Sequence, residues 1–205
     1  NTRKYAASLE RINKVIDARP GEIMFGLNMV VNKGKTVFIG DTSVHENPSA
    51  NQLTEIAISS ARVVRLFGFD PKVAFVSHST FGQPATSSTK HIRDAVEILQ
   101  DKKVDFQFDG DMQPDVALNE EYKELYSFSG IVGNANILIM PDQHSAAISY
   151  KMMKSLGGAK VIGPLLIGLG QPIEIAPLRS STSDILNLAS VAAYSAGVID
   201  YSRKN

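Results

Sequence analysis

The spacing of apolar residues in the first third of the chain predicts a helix, a β-hairpin and a second helix. Apolar positions recur at helical spacing as far as Ile16, and "RPG" at 19–21 should end that helix. The runs "EIMFGLNMVV" and "KTVFIG" flank "NKGK", which is typical of a hairpin whose turn contains Gly34. Apolar residues then return every three or four positions from about Asn51 to Phe67, which predicts a helix with one buried face.

From residue 72 onward, strand-like and helix-like patterns alternate. The chain reads "KVAFVS", a polar loop, "KHIRDAVEILQDKK" and "VDFQFDG", and the unit returns as "NILIMPD", "SAAISYKMMKSLGG" and "AKVIGPLLIG". This alternation favours an α/β fold with a mostly parallel sheet flanked by helices. Because such sheets bind ligands beyond the carboxyl ends of their strands, the loops after Ser77, Asp109, Met140 and Ile162 are the candidate binding segments.

Composition narrows the classes of function. The 205 residues are 43% hydrophobic and carry 21 basic and 21 acidic side chains without a run of five like charges, so no nucleic-acid or membrane surface is expected. The absence of cysteine excludes a thiolate nucleophile and a disulfide scaffold. The first residues contain no apolar signal core, and we expect a cytoplasmic protein. The chain starts inside an amphipathic pattern, so we expect it to be cut from something longer.

The polar loop "SHSTFGQPATSS" at 77–88 lies between a strand and a helix. Its backbone amides and the hydroxyls of Ser77, Ser79 and Thr80 are able to grip a phosphate at a helix N-terminus. The same residue types are common helix caps, and a serine or threonine at 87–89 would fill that role, so both interpretations stay open. The loop matches neither of the glycine-rich phosphate-binding motifs.

No metal site is expected from the spacing of the potential ligands. The four histidines are scattered, without a pair at metal-binding spacing. Asp109, Asp111 and Asp115 in "FDGDMQPD" depart from the calcium-loop pattern after its first residues. We therefore expect these carboxylates to form a turn.

Two further segments place acidic side chains at helix starts. Asp142 follows Pro141 and should accept hydrogen bonds from free amides of the next helix. Ser181 and Asp184 have the S-x-x-D spacing of a capping box. Arg179 is the one cation of "APLRSSTSDILN", and it either contacts a phosphate or lies in water.

Five segments carry a family resemblance in their order and spacing: "KVAFVSHSTFG", "DFQFDGDMQPDVAL", "GNANILIMPDQHSAAISYK", "GPLLIGLGQPIEI" and "SSTSDILNLASVAAY". Together they resemble the phosphate acetyl/butyryl transferase family over essentially the whole chain. The resemblance implies a two-lobed isocitrate/isopropylmalate-dehydrogenase-like phosphotransacetylase fold with the first lobe truncated. It implies a remnant helix of the first lobe at 1–19, the second lobe at 20–175 and a C-terminal helix at 176–205 that returns to the first lobe.

The resemblance also implies a cleft that binds acetyl-CoA and phosphate. Its candidate residues would be Ser77, Ser79, Thr80, Gly82, Pro141, Asp142, Gly163, Pro164, Arg179 and Asp184. Active members of the family carry a Ser-Arg pair where this chain has Pro177 and Leu178, so the groups that would stabilise charge on a phosphoryl group are lost. A family amide is likewise replaced by Ala147. No catalytic residue is therefore expected unless Arg179 substitutes for the pair.

Two settings carry this module: free-standing phosphotransacetylases and the C-terminal region of large NADP-dependent malic enzymes. The segment "DTSVHENPSANQLTEIAISSARVVRLFGFDPKVAFVSHSTFG" is more similar to the second setting. The resemblance then implies an acetyl-CoA-binding allosteric and oligomerisation domain without transferase activity. NADP, a divalent metal and the oxidative decarboxylation of malate to pyruvate would belong only to N-terminal domains, which would be partners of this chain in a homo-oligomer, at least a dimer.

Two alternatives remain open. The chain is an active phosphate acetyltransferase if Arg179 and Ser180 replace the lost pair. It is a purely structural module if its cleft is empty and the apolar helices at 51–67 or 184–196 form an interface.

Overall fold

The computed structural model describes residues 2–82, 89–178 and 180–204. In chain order the elements are α1 (Thr2–Asn13), β1 (Phe25–Asn32), β2 (Lys35–Gly40), α2 (Ala50–Leu66), β3 (Lys72–Val76), α3 (Lys90–Lys102), β4 (Gln107–Met112), α4 (Pro114–Leu118), α5 (Glu120–Lys123), a 3-10 turn (Glu124–Tyr126), β5 (Ile137–Ile139), α6 (Gln143–Leu156), β6 (Lys160–Ile167) and α7 (Thr182–Lys204). Strands and helices alternate from β3 onward, as the sequence predicts.

One mixed sheet of six strands has the order β4-β3-β5-β2-β1-β6. Strands β4, β3, β5 and β2 are parallel to one another. Strand β1 is antiparallel to both of its neighbours, β2 and β6, so five of the six strands run in one direction. The mostly parallel α/β fold expected from the sequence is confirmed.

Helices cover both faces of the sheet. On one face, α2 and α3 pack their apolar sides on β1, β2, β3 and β5. On the other face, α4 and α6 cover a second cluster that includes Val30, Ile39 and Val76. The apolar face predicted for residues 51–67 is therefore used inside the core: Leu53, Ile56 and Val64 are fully buried. That face of α2 is not available as an interface between chains.

Local sequence features fix the ends of several elements. Lys33 and Gly34 both have positive φ, 47° and 78°, in the two-residue turn between β1 and β2. Ser49 and Gln52 form a capping box, which starts α2 one residue before the predicted position. Helix α1 ends at Asn13, before "RPG". Further along, Arg19 N–H donates to Gly168 O over 2.8 Å and joins this segment to the end of β6.

Two expected loops are strands. Strand β4 continues to Met112, so the prediction of a turn through Asp109 and Asp111 is wrong: the backbone there pairs with β3. Strand β6 continues past Ile162 to Ile167 and contains the cis Gly163-Pro164 peptide, so no loop begins after Ile162. Because β6 lies at the edge of the sheet, the missing N–H of a proline is tolerated there.

Within the three described ranges, no helix has the length and apolar character needed to cross a bilayer. Over the same ranges, no three histidine, cysteine, aspartate or glutamate side chains come together as a metal site would require.

Candidate functional site

The carboxyl ends of the parallel strands meet at one edge of the sheet, as expected for this fold. Backbone hydrogen bonds connect the loops there: Met140 N–H donates to Gly40 O over 2.8 Å, and Ser77 N–H donates to Met112 O over 2.9 Å. The His91 ring from α3 lies 3.1 Å from Pro141 O. The loops after β2, β3, β4 and β5 are therefore parts of a single surface.

The loop after β3 folds around the buried carboxylate of Asp111. Ser79 donates to that carboxylate, Ser77 Oγ lies 3.3 Å from the same oxygen, and Gly82 N–H donates to the other oxygen over 2.9 Å. Arg93 Nη1 lies 3.9 Å away. Ser77, Ser79 and Gly82, which the sequence suggested for a phosphate, thus surround an acidic group of the chain itself. Their binding of a phosphate stays a prediction.

Hydrogen bonds to Gln113 connect the other side of this loop to the residue that follows β4. Thr80 Oγ1 accepts from Gln113 N–H over 3.2 Å, and Gln113 Nε2 donates to His78 O over 3.0 Å. Phe81, whose φ is +50°, packs its ring 4.8 Å from that of Phe128. The caps considered at residues 87 and 88 lie outside the described residues.

Sequence reasoning missed a second buried carboxylate, that of Asp41 after β2. It accepts hydrogen bonds from Gly26 N–H and Ser43 N–H, each over 2.8 Å, and from Val44 N–H over 3.2 Å. His45 contacts it with both its backbone N–H and its ring Nδ1, each at 2.8 Å. Asp41 therefore fixes this loop to the start of β1. The signal available was an aspartate directly after a buried strand in "FIGDTSVHENP".

Asp142 is placed as predicted, at the start of α6. Its carboxylate accepts from Ser145 N–H over 2.7 Å and from Ser145 Oγ over 3.0 Å, which confirms it as the N-cap. Pro141 precedes it and is half-buried.

Gly163 and Pro164 lie in the middle of β6 rather than at the strand ends. A Cβ on Gly163 would lie 2.3 Å from Asn28 Oδ1, so only glycine fits beside this buried asparagine. Tyr150 of α6 faces Asn28 as well, and burial raises the pKa of Tyr150. The structure thus brings Gly163 together with Asn28 and Tyr150, and separates it from the loop around Asp111.

Two further half-buried ionisable groups lie near the end of β6. Glu174 accepts a hydrogen bond from Leu166 N–H over 3.1 Å, and burial raises the pKa of Glu174 to about 8. Burial also raises the pKa of Tyr5 to about 12, with Glu174 and Asp41 adding to the effect. Sequence reasoning missed Glu174, although a lone acidic residue in "QPIEIAP" was visible.

The segment before α7 carries the positions at which the Ser-Arg pair was expected. Pro177 and Leu178 are exposed, and Leu178 is 69% accessible. Ser181 and Asp184 form the predicted capping box, with Ser181 N–H to Asp184 Oδ2 at 2.9 Å and Asp184 N–H to Ser181 Oγ at 3.2 Å. The hydrogen bonds that Ser181 N–H and Ser181 Oγ donate to the carboxylate lower the pKa of Asp184. Arg179 lies outside the described residues.

The sheet order and the loops at its carboxyl edge define the phosphotransacetylase fold. A phosphotransacetylase from Streptococcus pyogenes superposes with a TM-score of 0.87 at 31% identity, covering 93% of this chain and 59% of that one. The sequence profile of the phosphate acetyl/butaryl transferase family matches residues 1–193. The chain belongs to this family.

The curated relatives include proteins of two kinds. An NADP-dependent malic enzyme from Rhizobium meliloti is 44% identical over 96% of this chain, and a phosphate acetyltransferase from Clostridium acetobutylicum is 34% identical over 78% of it. The chain spans 26% of the malic enzyme, in its C-terminal part, and 49% of the acetyltransferase. The recognition made from the sequence is therefore confirmed at the level of the family.

Proposed function

We propose that this chain is the phosphotransacetylase-like domain of an NADP-dependent malic enzyme, and that it binds acetyl-CoA as a regulatory ligand without transferring its acetyl group. One observation carries the proposal: Pro177 and Leu178 stand, exposed, where active relatives would carry a hydroxyl and a guanidinium. The similarity to malic enzymes supports the setting.

The chemistry of acetyl transfer to phosphate explains why the two positions matter. Charge develops on the phosphoryl and carbonyl oxygens in the transition state, and fixed donors lower its energy. Proline has no donor, and leucine cannot neutralise an anion. Losing one preorganised donor typically costs about a hundredfold or more in rate. A cleft of this kind retains ligand binding while it loses turnover.

A regulatory role follows from binding without turnover. A ligand that prefers one arrangement of the protein shifts its population by the difference in affinity. In our proposal the loops at the carboxyl edge supply the ligand contacts, with Pro141, Asp142, Gly163 and Pro164 shaping the cleft. Ser77, Ser79, Thr80, Gly82, Arg179 and Asp184 complete the proposed set. Residues 1–19 and 176–205 would join a first lobe, and residues 20–175 form the second.

The rest of the malic enzyme would carry the oxidoreductase chemistry. NADP and a divalent metal would bind to the N-terminal domains, and this chain would contact those domains and a second copy of itself. Helix α7 supplies apolar side chains for such contacts, since Ile185, Leu186 and Tyr194 are each at least half exposed. We propose the cytoplasm as the compartment.

The test is calorimetric titration of acetyl-CoA into the complete natural protein, with a parallel assay of acetyl phosphate formation. We expect binding without turnover. The double variant P177S/L178R should form acetyl phosphate about a hundredfold faster than the background rate of the unaltered protein. L186R is the matched control, because it adds an arginine to an exposed leucine position of α7 and should gain nothing. Turnover by the unaltered protein at the rate of active relatives contradicts the proposal.

The second candidate is an active phosphate acetyltransferase, favoured by family membership and by the 34% identity to the Clostridium acetobutylicum enzyme. Arg179 and Ser180 would then replace the lost pair. This candidate expects CoA-dependent formation of acetyl phosphate that collapses in Arg179→Ala. If the unaltered protein forms no acetyl phosphate, this second candidate is excluded.

A further inference from the structure

A cavity of about 790 Å³ opens beside the end of β6, away from the loop around Asp111. Apolar side chains form much of its wall, among them Ile16, Val63, Leu66 and Leu169. Its volume lies in the range of small-molecule sites, which are mainly apolar with a few convergent polar groups. None of the nine described residues that are predicted to bind acetyl-CoA or phosphate lines it.

The wall of this cavity is built from backbone that is fixed in place. Arg19 N–H donates to Gly168 O over 2.8 Å, and Gly170 N–H donates to Asp17 O over 2.9 Å. Gly168 has a φ of +88°, and a Cβ there would lie 2.0 Å from Ile23 O. Two hydrogen bonds join residues 17–19 to residues 168–170, and Gly168 leaves no space for a side chain. Because these contacts fix the backbone around the cavity, the cavity is preformed.

Glu174 is one of the polar side chains that line the cavity. One carboxyl oxygen accepts from Leu166 N–H over 3.1 Å. Burial raises the pKa of Glu174 to about 8, so near pH 7 the side chain is mostly a neutral carboxylic acid. A neutral carboxyl has an O–H to donate, which a carboxylate lacks.

The charged side chains at the cavity are arranged in a way that does not favour an anion. Arg62 forms an ion pair with Glu22, and Arg19 lies 4.0 Å from the same carboxylate. Asp17 also lines the cavity, and Tyr5 interacts electrostatically with both Glu174 and Asp41. The two arginines share the Glu22 carboxylate, and Asp17 adds a further acidic group to the lining. We therefore expect the neutral Glu174 carboxyl to be the group that selects a ligand.

We propose that this cavity binds a small uncharged organic molecule whose apolar body fills it and whose carbonyl oxygen accepts a hydrogen bond from the Glu174 carboxyl. This site is separate from the proposed acetyl-CoA cleft and does not depend on it. A carbonyl oxygen accepts from the neutral Glu174 carboxyl, while a carboxylate would add a negative charge beside Glu22 and Asp17.

The experiment uses the complete natural protein and two isosteric probes, 2-acetylnaphthalene and 2-naphthoate, titrated with NMR or calorimetric detection. The ketone should bind more tightly than the acid at about pH 6.5, and its affinity should fall at least tenfold at about pH 9.5, where Glu174 is ionised. Glu174→Gln keeps a donor without a charge, so it should bind the ketone equally at both pH values. Glu174→Leu should bind it about tenfold more weakly at the lower pH.

A cavity-filling variant, Leu66→Trp, checks the location, because it should reduce binding of the ketone while leaving the protein folded. Tighter binding of 2-naphthoate would mean that the arginines select the ligand, and the proposal would be overturned. Absence of binding by the ketone, or a pH dependence that survives in Glu174→Gln, would overturn it as well.

Discussion

Replacing Glu174 by glutamine is expected to stabilise the protein at about pH 8.5 and to change its stability little at about pH 4.5. In the folded protein Glu174 is half-buried, and its carboxyl accepts a hydrogen bond from Leu166 N–H. Water around an unfolded chain would solvate the carboxylate fully. Burial therefore penalises the ionised form in the folded state alone.

The size of the effect follows from the pKa of Glu174, which burial raises from 4.5 to about 8. The folded state holds this proton more tightly than the unfolded state, so the stability contributed by the neutral acid is full below pH 4.5. It falls as the pH rises from 4.5 and is lost once the pH passes about 8. At about 1.4 kcal/mol for each tenfold change in proton affinity, the full loss is about 5 kcal/mol. Glutamine has nothing to ionise and avoids this loss.

The assay is urea denaturation of both proteins across this pH range, followed by circular dichroism. The difference in the free energy of unfolding should grow steadily with pH in favour of Glu174→Gln. Glu97→Gln is the matched control, since Glu97 is exposed on α3 and its replacement should give a difference that does not grow. If the unaltered protein and the Glu174→Gln variant lose stability in parallel as the pH rises, the Glu174 carboxyl is not desolvated and the reasoning is wrong.

Three further substitutions test the parts of the fold that hold the site. Asp111→Ala should cost about 3–5 kcal/mol in thermal or chemical unfolding, because it leaves the buried donors of the loop after β3 without an acceptor. Asp142→Ala should cost about 1 kcal/mol by removing the N-cap of α6, and restoring a cap with serine should recover most of it. Gly168→Ala should abolish the soluble fold in an expression test, since a methyl group would collide with Ile23 O, whereas Gly21→Ala, with φ of +77° and open space around it, should cost only about 1 kcal/mol.

Elements that depend on neighbouring residues were predictable from the sequence. The hairpin turn at Gly34, the amphipathic α2 and α3, and the caps at Asp142 and Ser181 all act over a few residues, so the sequence pattern is sufficient. The family resemblance adds the type of fold, because it transfers contacts between distant segments that no local pattern contains.

The parts that were mispredicted depend on contacts across the fold. The aspartates of "FDGDM" are typical of a turn, but β3 supplies a parallel partner and the distant loop supplies donors for Asp111. Gly163-Pro164 is typical of a strand end, yet the edge position of β6 lets the strand continue. Glu174 appears to a sequence reader as an ordinary surface acid, because its burial depends on segments that approach it only in the folded chain.

The three-residue strand β5 determines the order in which the sheet can assemble during synthesis. It is the shortest of the six strands in the described structure and pairs on one side with β2 and on the other with β3. The β1–β2 hairpin and the β3–β4 pair therefore have no strand between them until Ile139 has left the ribosome. Closing so long a loop is slow, and a nascent chain that stops short of β5 leaves the facing edges of β2 and β3 unpaired. The segment that joins the two halves of the sheet is thus also the one whose late synthesis leaves the chain open to mispairing.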